Sequence, residues 1–359
     1  MADAHTGPVA IVTGANTGIG YQTARGLALR GYTVVLATRS RQAGAEAAER
    51  IARDVARAAV NEKRSFLDGA SAHTGSALCL PLDVSSLASV RAFCEGLPPS
   101  LAARLTVLVL NAGISGLGLP REERKTADGL ERVFATNFLG HFYLVQQLLE
   151  PLKLAASAAP VGAPPARIVA LASVTHRIVP AAPPDWSAVI TGNARGSGGN
   201  NQYAYSKLAA LLLAGELNRS CLVGSGVSAV AVNPGAVNSD IWRSIRPATA
   251  CWFRPLMRLA FLTTEQGAAT SIAAATAREV DGLALDPQPG ARAPTAYLSP
   301  YAAPLWAQRA GGWLALLPDL IGPFRGARAM QPTPLALDAK CAQDLWKTCE
   351  AAIATRQGL

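Results

Sequence analysis

The sequence predicts an α/β fold: a doubly wound parallel sheet of six or seven strands flanked by helices, as a single domain over 1–359. Three observations lead there. Short β-rich runs alternate with helical stretches, the order expected when helices cross over between parallel strands. Several runs are continuously apolar, as strands covered on both faces should be. The first run ends in a cluster of glycines just before a helix begins.

In order, Val9–Val12, Thr33–Ala37, Ala77–Leu82, Leu105–Leu110, Arg167–Leu171 and Val227–Val232 read as strands. The stretches between them, Ile19–Arg30, Ala43–Ala59, Leu87–Glu95, Leu130–Lys153 and Tyr203–Arg219, read as helices. Three segments break the rhythm. Asn61–Ser76 reads as a polar loop, Val179–Asn201 as a mobile surface excursion rich in Pro, Gly and Asn, and Ala303–Pro334 as a Pro/Gly-punctuated stretch.

Composition narrows the function classes. The 359 residues are half hydrophobic, enough for a large core, and carry 33 Lys+Arg against 24 Asp+Glu. The basic residues are scattered, which argues against nucleic acid as a partner and suits an anionic cofactor or an acidic membrane surface. Six cysteines show no C-x-x-C pair and four histidines lie far apart, so neither a metal site nor a disulfide framework is expected. Reduced thiols fit an intracellular compartment, cytoplasmic or peripheral to a membrane. No apolar run reaches the roughly 18 residues of a spanning helix. The first strand starts too near the N-terminus to leave room for a signal peptide in this form.

The glycine cluster is Thr13-Gly-Ala-Asn-Thr-Gly-Ile-Gly20. Glycines at 14, 18 and 20 let the backbone turn sharply and approach a pyrophosphate, to which the helix N-terminus offers aligned N–H groups. The spacing resembles the T-G-x-x-x-G-x-G turn of the short-chain dehydrogenase/reductase family, and further stations follow in order. Asp83, Asn111-Ala-Gly113, Asn137, Ser173, Tyr203 with Lys207, and Asn233-Pro-Gly235 each match a family segment. Thr126-Ala-Asp-Gly-Leu-Glu131, Leu139-Gly-His-Phe142, Ser206-Lys-Leu-Ala209 and Thr264-Glu-Gln-Gly-Ala268 look like its retinol-dehydrogenase-like branch. So does Thr333-Pro-Leu-Ala-Leu-Asp338 leading to Leu345-Trp346. The resemblance implies a Rossmann-type fold and a nicotinamide cofactor at Gly14, Asn16, Thr17, Gly18, Ile19, Gly20, Arg39, Asp83, Val84, Asn111, Ala112, Gly113, Tyr203, Lys207, Pro234, Gly235 and Val237. It covers about Gly7–Pro300 and resumes near Pro332, leaving an apparent insertion at 303–331.

The second strand ends Thr38-Arg39-Ser-Arg41, where an acid would otherwise accept from a free ribose 2′-hydroxyl. A guanidinium there suits a 2′-phosphate, so NADP(H) is preferred over NAD(H); two solvated surface arginines are the alternative. For catalysis, a tyrosine of pKa about 10 needs a nearby cation to serve as acid or base at neutral pH. On a helix, residues four apart are offset by roughly 40° and those two apart by roughly 200°. Lys207 therefore pairs with Tyr203 and not with Tyr205, and is expected to lower the Tyr203 pKa. Ser173 can hold the substrate oxygen. The resemblance implies that Asn137 positions a water linking Lys207 to solvent, and it leaves His176 a structural residue.

The stretch 240–262 is placed like the family's variable substrate lid, with Trp242, Ile245, Trp252, Phe253 and Leu256 among arginines. An apolar lid suits a lipophilic alcohol or carbonyl. The same mixture could rest on a membrane surface. A homodimer through helices flanking the active site is expected from the resemblance alone. Two alternatives to a dehydrogenase of this kind stand: a protochlorophyllide-reductase-like double-bond reductase, and a nucleotide-sensing interaction protein with little turnover.

Overall fold

The computed structural model describes residues 7–65, 75–160, 162–163, 165–194, 199–239, 261–278, 280, 296–300 and 328–358. Its strands are β1 (Val9–Thr13), β2 (Thr33–Thr38), β3 (Ser76–Pro81), β4 (Leu105–Leu110), β5 (Ala166–Leu171), β6 (Val227–Val232), β7 (Ala296–Ser299) and β8 (Arg328–Ala329). They form one sheet in the order β3-β2-β1-β4-β5-β6-β7-β8. All neighbours run parallel except β8, a two-residue antiparallel edge on β7. The six strands read from the sequence are all present. β7 went unnamed because four residues carry too little periodicity; pairing with β6 makes it a strand.

The helices are α1 (Gly18–Ala28), α2 (Arg41–Ser65), α3 (Leu87–Glu95), α4 (Pro99–Ala102), the single turn α5 (Arg132–Phe134), α6 (Gly140–Ser157), α7 (Trp186–Thr191), α8 (Gly199–Glu216), α9 (Thr264–Thr276) and α10 (Ala339–Gln357). On one face of the sheet, Ala24 and Leu27 of α1, Ile51 of α2 and Ala274 of α9 pack on Val12, Val34 and Val230. On the other, Phe93 of α3, Phe142 of α6, Leu211 of α8 and Leu345 of α10 join Ile11 and Ile168. Cover on both faces explains why β1, β2, β4, β5 and β6 are buried throughout. β1 lies between β2 and β4, so the winding reverses there and opens a crevice at the carboxyl ends of the strands.

Two loop readings need correction. α2 continues to Ser65, well into the stretch expected to be a loop from Asn61. The excursion at Val179–Asn201 contains α7, capped by Asp185 Oδ1 accepting from the Ala188 N–H at 3.1 Å. Its Trp186, Val189 and Ile190 are buried, with the Trp186 ring 6.2 Å from Phe134. Surrounding prolines and glycines diluted that apolar face in the sequence. The helix expected over Leu130–Lys153 is split into α5, a π-helical segment Ala135–Leu139, and α6. Of the proposed lid, 240–260 lie outside the described residues, and Leu262 bridges to Val237. Of the insertion at 303–331, only 328–331 are described, and they supply β8.

Candidate active site

The glycine turn folds as its residue types require. Gly14 and Gly18 adopt φ of 64° and 59°, a region that strains any side chain. A Cβ on Gly14 would press on Ala112 Cα at 3.0 Å, and one on Gly20 would collide with the Asn111 carboxamide. α1 then starts without a side-chain cap and without an acid in its first turn. Those leading amides suit a pyrophosphate. The residues present thus fit a dinucleotide: a close backbone approach, an uncapped helix start and no competing carboxylate.

The turn opens into a cleft of about 410 Å³. Gly14, Asn16, Thr17, Gly18, Ile19 and Gly20 line one side. Arg39 enters from the end of β2, Asp83 and Val84 from β3, and Asn111, Ala112 and Gly113 from β4. Tyr203, Lys207 and Pro234 close the far side. Asp83 is fixed by Ser85, whose N–H and hydroxyl donate to Oδ1 at 2.9 and 2.7 Å. Asn111 Nδ2 donates to the Thr13 carbonyl at 2.8 Å, tying β4 to β1 beneath the cleft.

Two expected cofactor residues stand back from the cleft wall. The Gly235 N–H donates to Asn233 Oδ1 at 3.2 Å, and Val237 is buried against Leu262 and Ile19. Ser239, close by in the chain, does line the cleft. Conversely, Ile114, Ser115, Leu117 and Leu119 line it without having been named. Their signal was position alone, directly after Asn111-Ala-Gly113.

The candidate catalytic set comes from three elements. Ser173, after β5, accepts from the Thr175 N–H at 3.3 Å, and its side chain stands near enough to the Tyr203 hydroxyl to oppose the rise of its pKa. One turn along α8, Lys207 Nζ lies 5.4 Å from the Tyr203 ring centroid and donates to the Leu171 carbonyl at 2.7 Å. Tyr205 instead packs against the core at the edge of the α8 layer. Asn137, in the π-helical segment, turns its carboxamide onto Ile114: Oδ1 accepts from the Ile114 N–H at 2.8 Å, and Nδ2 donates to its carbonyl at 3.0 Å. A second Nδ2 bond reaches Ser206 Oγ at 3.1 Å. The Asn137 side chain is thus held by protein groups.

The electrostatics depart from expectation in one respect. Burial raises the Tyr203 phenol to about 12, with the Ser173 hydrogen bond opposing, whereas Lys207 was expected to lower it. Burial also brings the Lys207 ammonium down to about 8. Desolvation is the largest cause at both groups: Lys207 is buried, and Tyr203 is partly buried at the cleft wall.

The crevice, glycine turn and Ser–Tyr–Lys grouping define a nicotinamide-dependent oxidoreductase of the α/β class. The chain belongs to the short-chain dehydrogenase/reductase family, within its retinol-dehydrogenase-like branch. The family model described as short chain dehydrogenase matches residues 8–182. Retinol dehydrogenase 12 of Mus musculus is 37% identical over 279 residues, covering 77% of this chain and 76% of that protein. Polyprenol dehydrogenase of Homo sapiens is 34% identical over 276 residues, covering 77% and 74%. Among solved structures, the Pseudomonas aeruginosa RhlG/NADP active-site complex superposes with a TM-score of 0.52 at 26% identity, over 77% of this chain and 92% of that one.

Proposed function

We propose that this single-domain oxidoreductase prefers NADP(H) and transfers hydride between nicotinamide and a lipophilic alcohol or carbonyl, with Tyr203 as general acid/base. The carrying observation is Tyr203 at the mouth of the glycine cleft with Ser173 beside its hydroxyl and Lys207 Nζ one turn behind, 5.4 Å from its ring centroid. The cofactor supplies the hydride, and its positive charge when oxidised favours the phenolate. Tyr203 gives its proton to the carbonyl oxygen in reduction and takes the hydroxyl proton in oxidation. Ser173 Oγ holds that oxygen within reach of the phenol. Lys207 supplies the positive charge that the phenolate requires, and Asn137 braces the Ile114 backbone beside the substrate.

Arg39, exposed at the cleft edge where no acid stands, supports the 2′-phosphate. The relatives' names, retinol and polyprenol dehydrogenase, support a lipophilic substrate. Among the described residues no helix is long and apolar enough to cross a membrane, and the proposed membrane contact is peripheral. The homodimer draws less support, because α10 covers α8 and sets Trp346 edge-on to Phe142 of α6 at 4.8 Å. An NADPH-oxidation screen against retinoid, steroid and aliphatic aldehydes tests the reading. Turnover of at least one panel member is expected. Tight cofactor binding with no turnover across the panel would favour the nucleotide-sensing alternative.

A further inference from the structure

We propose that His141 is a positioning residue that joins the glycine turn to the catalytic helix through one hydrogen-bonded chain of fixed polarity. It deepens the reading above, and only its turnover arm depends on Tyr203 being the acid.

Thr13 is the last residue of β1. Its hydroxyl oxygen accepts from the Asn111 N–H and the Ala112 N–H, both at 2.9 Å. A hydroxyl has two acceptor sites and one proton, so those two bonds fill its acceptor capacity. Its proton must go elsewhere. His141 Nε2 lies at 2.8 Å, whereas the Val109 carbonyl is at 3.4 Å. Thr13 therefore donates to Nε2, which must be the bare nitrogen of the ring. The proton of the neutral imidazole then sits on Nδ1, 3.1 Å from the Asn137 carbonyl oxygen, to which it donates. Saturation of Thr13 alone fixes the tautomer.

From Asn137 the chain continues. Both Nδ2 protons are used, on the Ile114 carbonyl and on Ser206 Oγ, and the Ser206 hydroxyl donates to the Tyr203 carbonyl at 2.7 Å. The glycine turn, Asn111-Ala112, Asn137 and the backbone of Tyr203 are thereby one connected unit, and His141 is its middle link. The imidazole is 2% exposed. Burial and the nearby Lys207 ammonium both oppose a positive charge on it, which keeps the acceptor at Nε2 available. The link lies at the start of α6, next to the π-helical segment that carries Asn137.

The two ring nitrogens have separate tasks, and this separates the proposal from simple packing. Asparagine at 141 can imitate Nδ1 but does not reach Thr13; glutamine can imitate Nε2 but leaves the Asn137 carbonyl without its donor. His141→Asn is expected to weaken cofactor Kd about tenfold with kcat within about threefold. His141→Gln is expected to do the reverse. Cofactor Kd, read by NADPH fluorescence, does not require turnover and stands even if Tyr203 proves not to be the acid. Nitrogen-15 NMR of the wild-type histidines, of which the chain has four, needs no variant to fold. A neutral ring protonated on Nδ1 is expected for His141 at pH 7. An Nε2–H tautomer, an imidazolium at that pH, or equal losses of Kd and kcat in both variants would overturn the proposal.

Discussion

The two ends of the cleft are built by different means. On the side suited to the cofactor, the wall is largely backbone: the turn Gly14–Gly20 and the uncapped start of α1, with the charged side chains Arg39 and Asp83 at its edge. The turn and the helix start lie within a short run of sequence. On the catalytic side, contact is made by side chains gathered from β5, the π-helical segment and α8. There the geometry depends on long-range hydrogen bonds such as Lys207 to Leu171 and Asn137 to Ile114. Damage to the first region should alter binding and damage to the second should alter turnover.

The strongest way to break that contrast is Tyr203→Phe. It should lower kcat by about 10³-fold, within the usual range for a lost proton-transfer group, with cofactor Kd unchanged by fluorescence titration. Equal loss of both would show the two regions to be inseparable. Arg39→Asp should weaken NADPH by roughly tenfold to a hundredfold and improve NADH, since one charge-assisted contact contributes about 1.5–3 kcal/mol. The ratio of kcat/KM for the two cofactors reads this directly.

Gly18→Ala sharpens the comparison by testing backbone alone. The added methyl meets nothing closer than Ser239 Cβ at 3.8 Å, so only the positive φ resists it. A cost of about 1–2 kcal/mol and a cofactor Kd weakened about tenfold are expected, with kcat at saturation retained. Calorimetry and titration distinguish the two effects.

A pH series probes the buried imidazoles. Burial lowers His141 to about 4 and His176 to about 3, the latter with Nδ1 at 2.6 Å from the Ser173 carbonyl. The unfolded chain binds more protons at these sites below about pH 6.5. Their stability contribution is therefore complete above that pH and is lost as pH falls towards 4 and 3. A loss of about 1–2 kcal/mol between pH 6.5 and 5.5 is expected by denaturant titration, and His176→Gln should flatten the slope. The smallest effect is reserved for Tyr205→Phe, which packs on the core and should leave kcat within about twofold.

Much of this was legible beforehand because its causes are local. Strands covered on both faces announce themselves as apolar runs, and positive φ at Gly14 and Gly18 can be inferred where a strand must turn into a helix. Tyr203 and Lys207 pair through helical spacing, which needs no tertiary information. Trp186 was misread as part of a surface loop because its partner Phe134 lies far away in the chain. Nothing in the sequence places Ile114 beside the Asn137 carboxamide. His141 was visible only as part of a motif, since its task requires Thr13 and Asn137 to meet across the sheet.

By itself, then, the sequence determined the alternation of elements, the glycine turn and the pairing of Tyr203 with Lys207 on one helix face. These follow from steric rules and periodicities that act over a few residues. The tertiary structure alone decided the meeting of Thr13 with His141, the commitment of Asn137 to Ile114, and the burial that shifts Tyr203 and Lys207. Those depend on which groups lose water together, and distance along the chain carries no record of that.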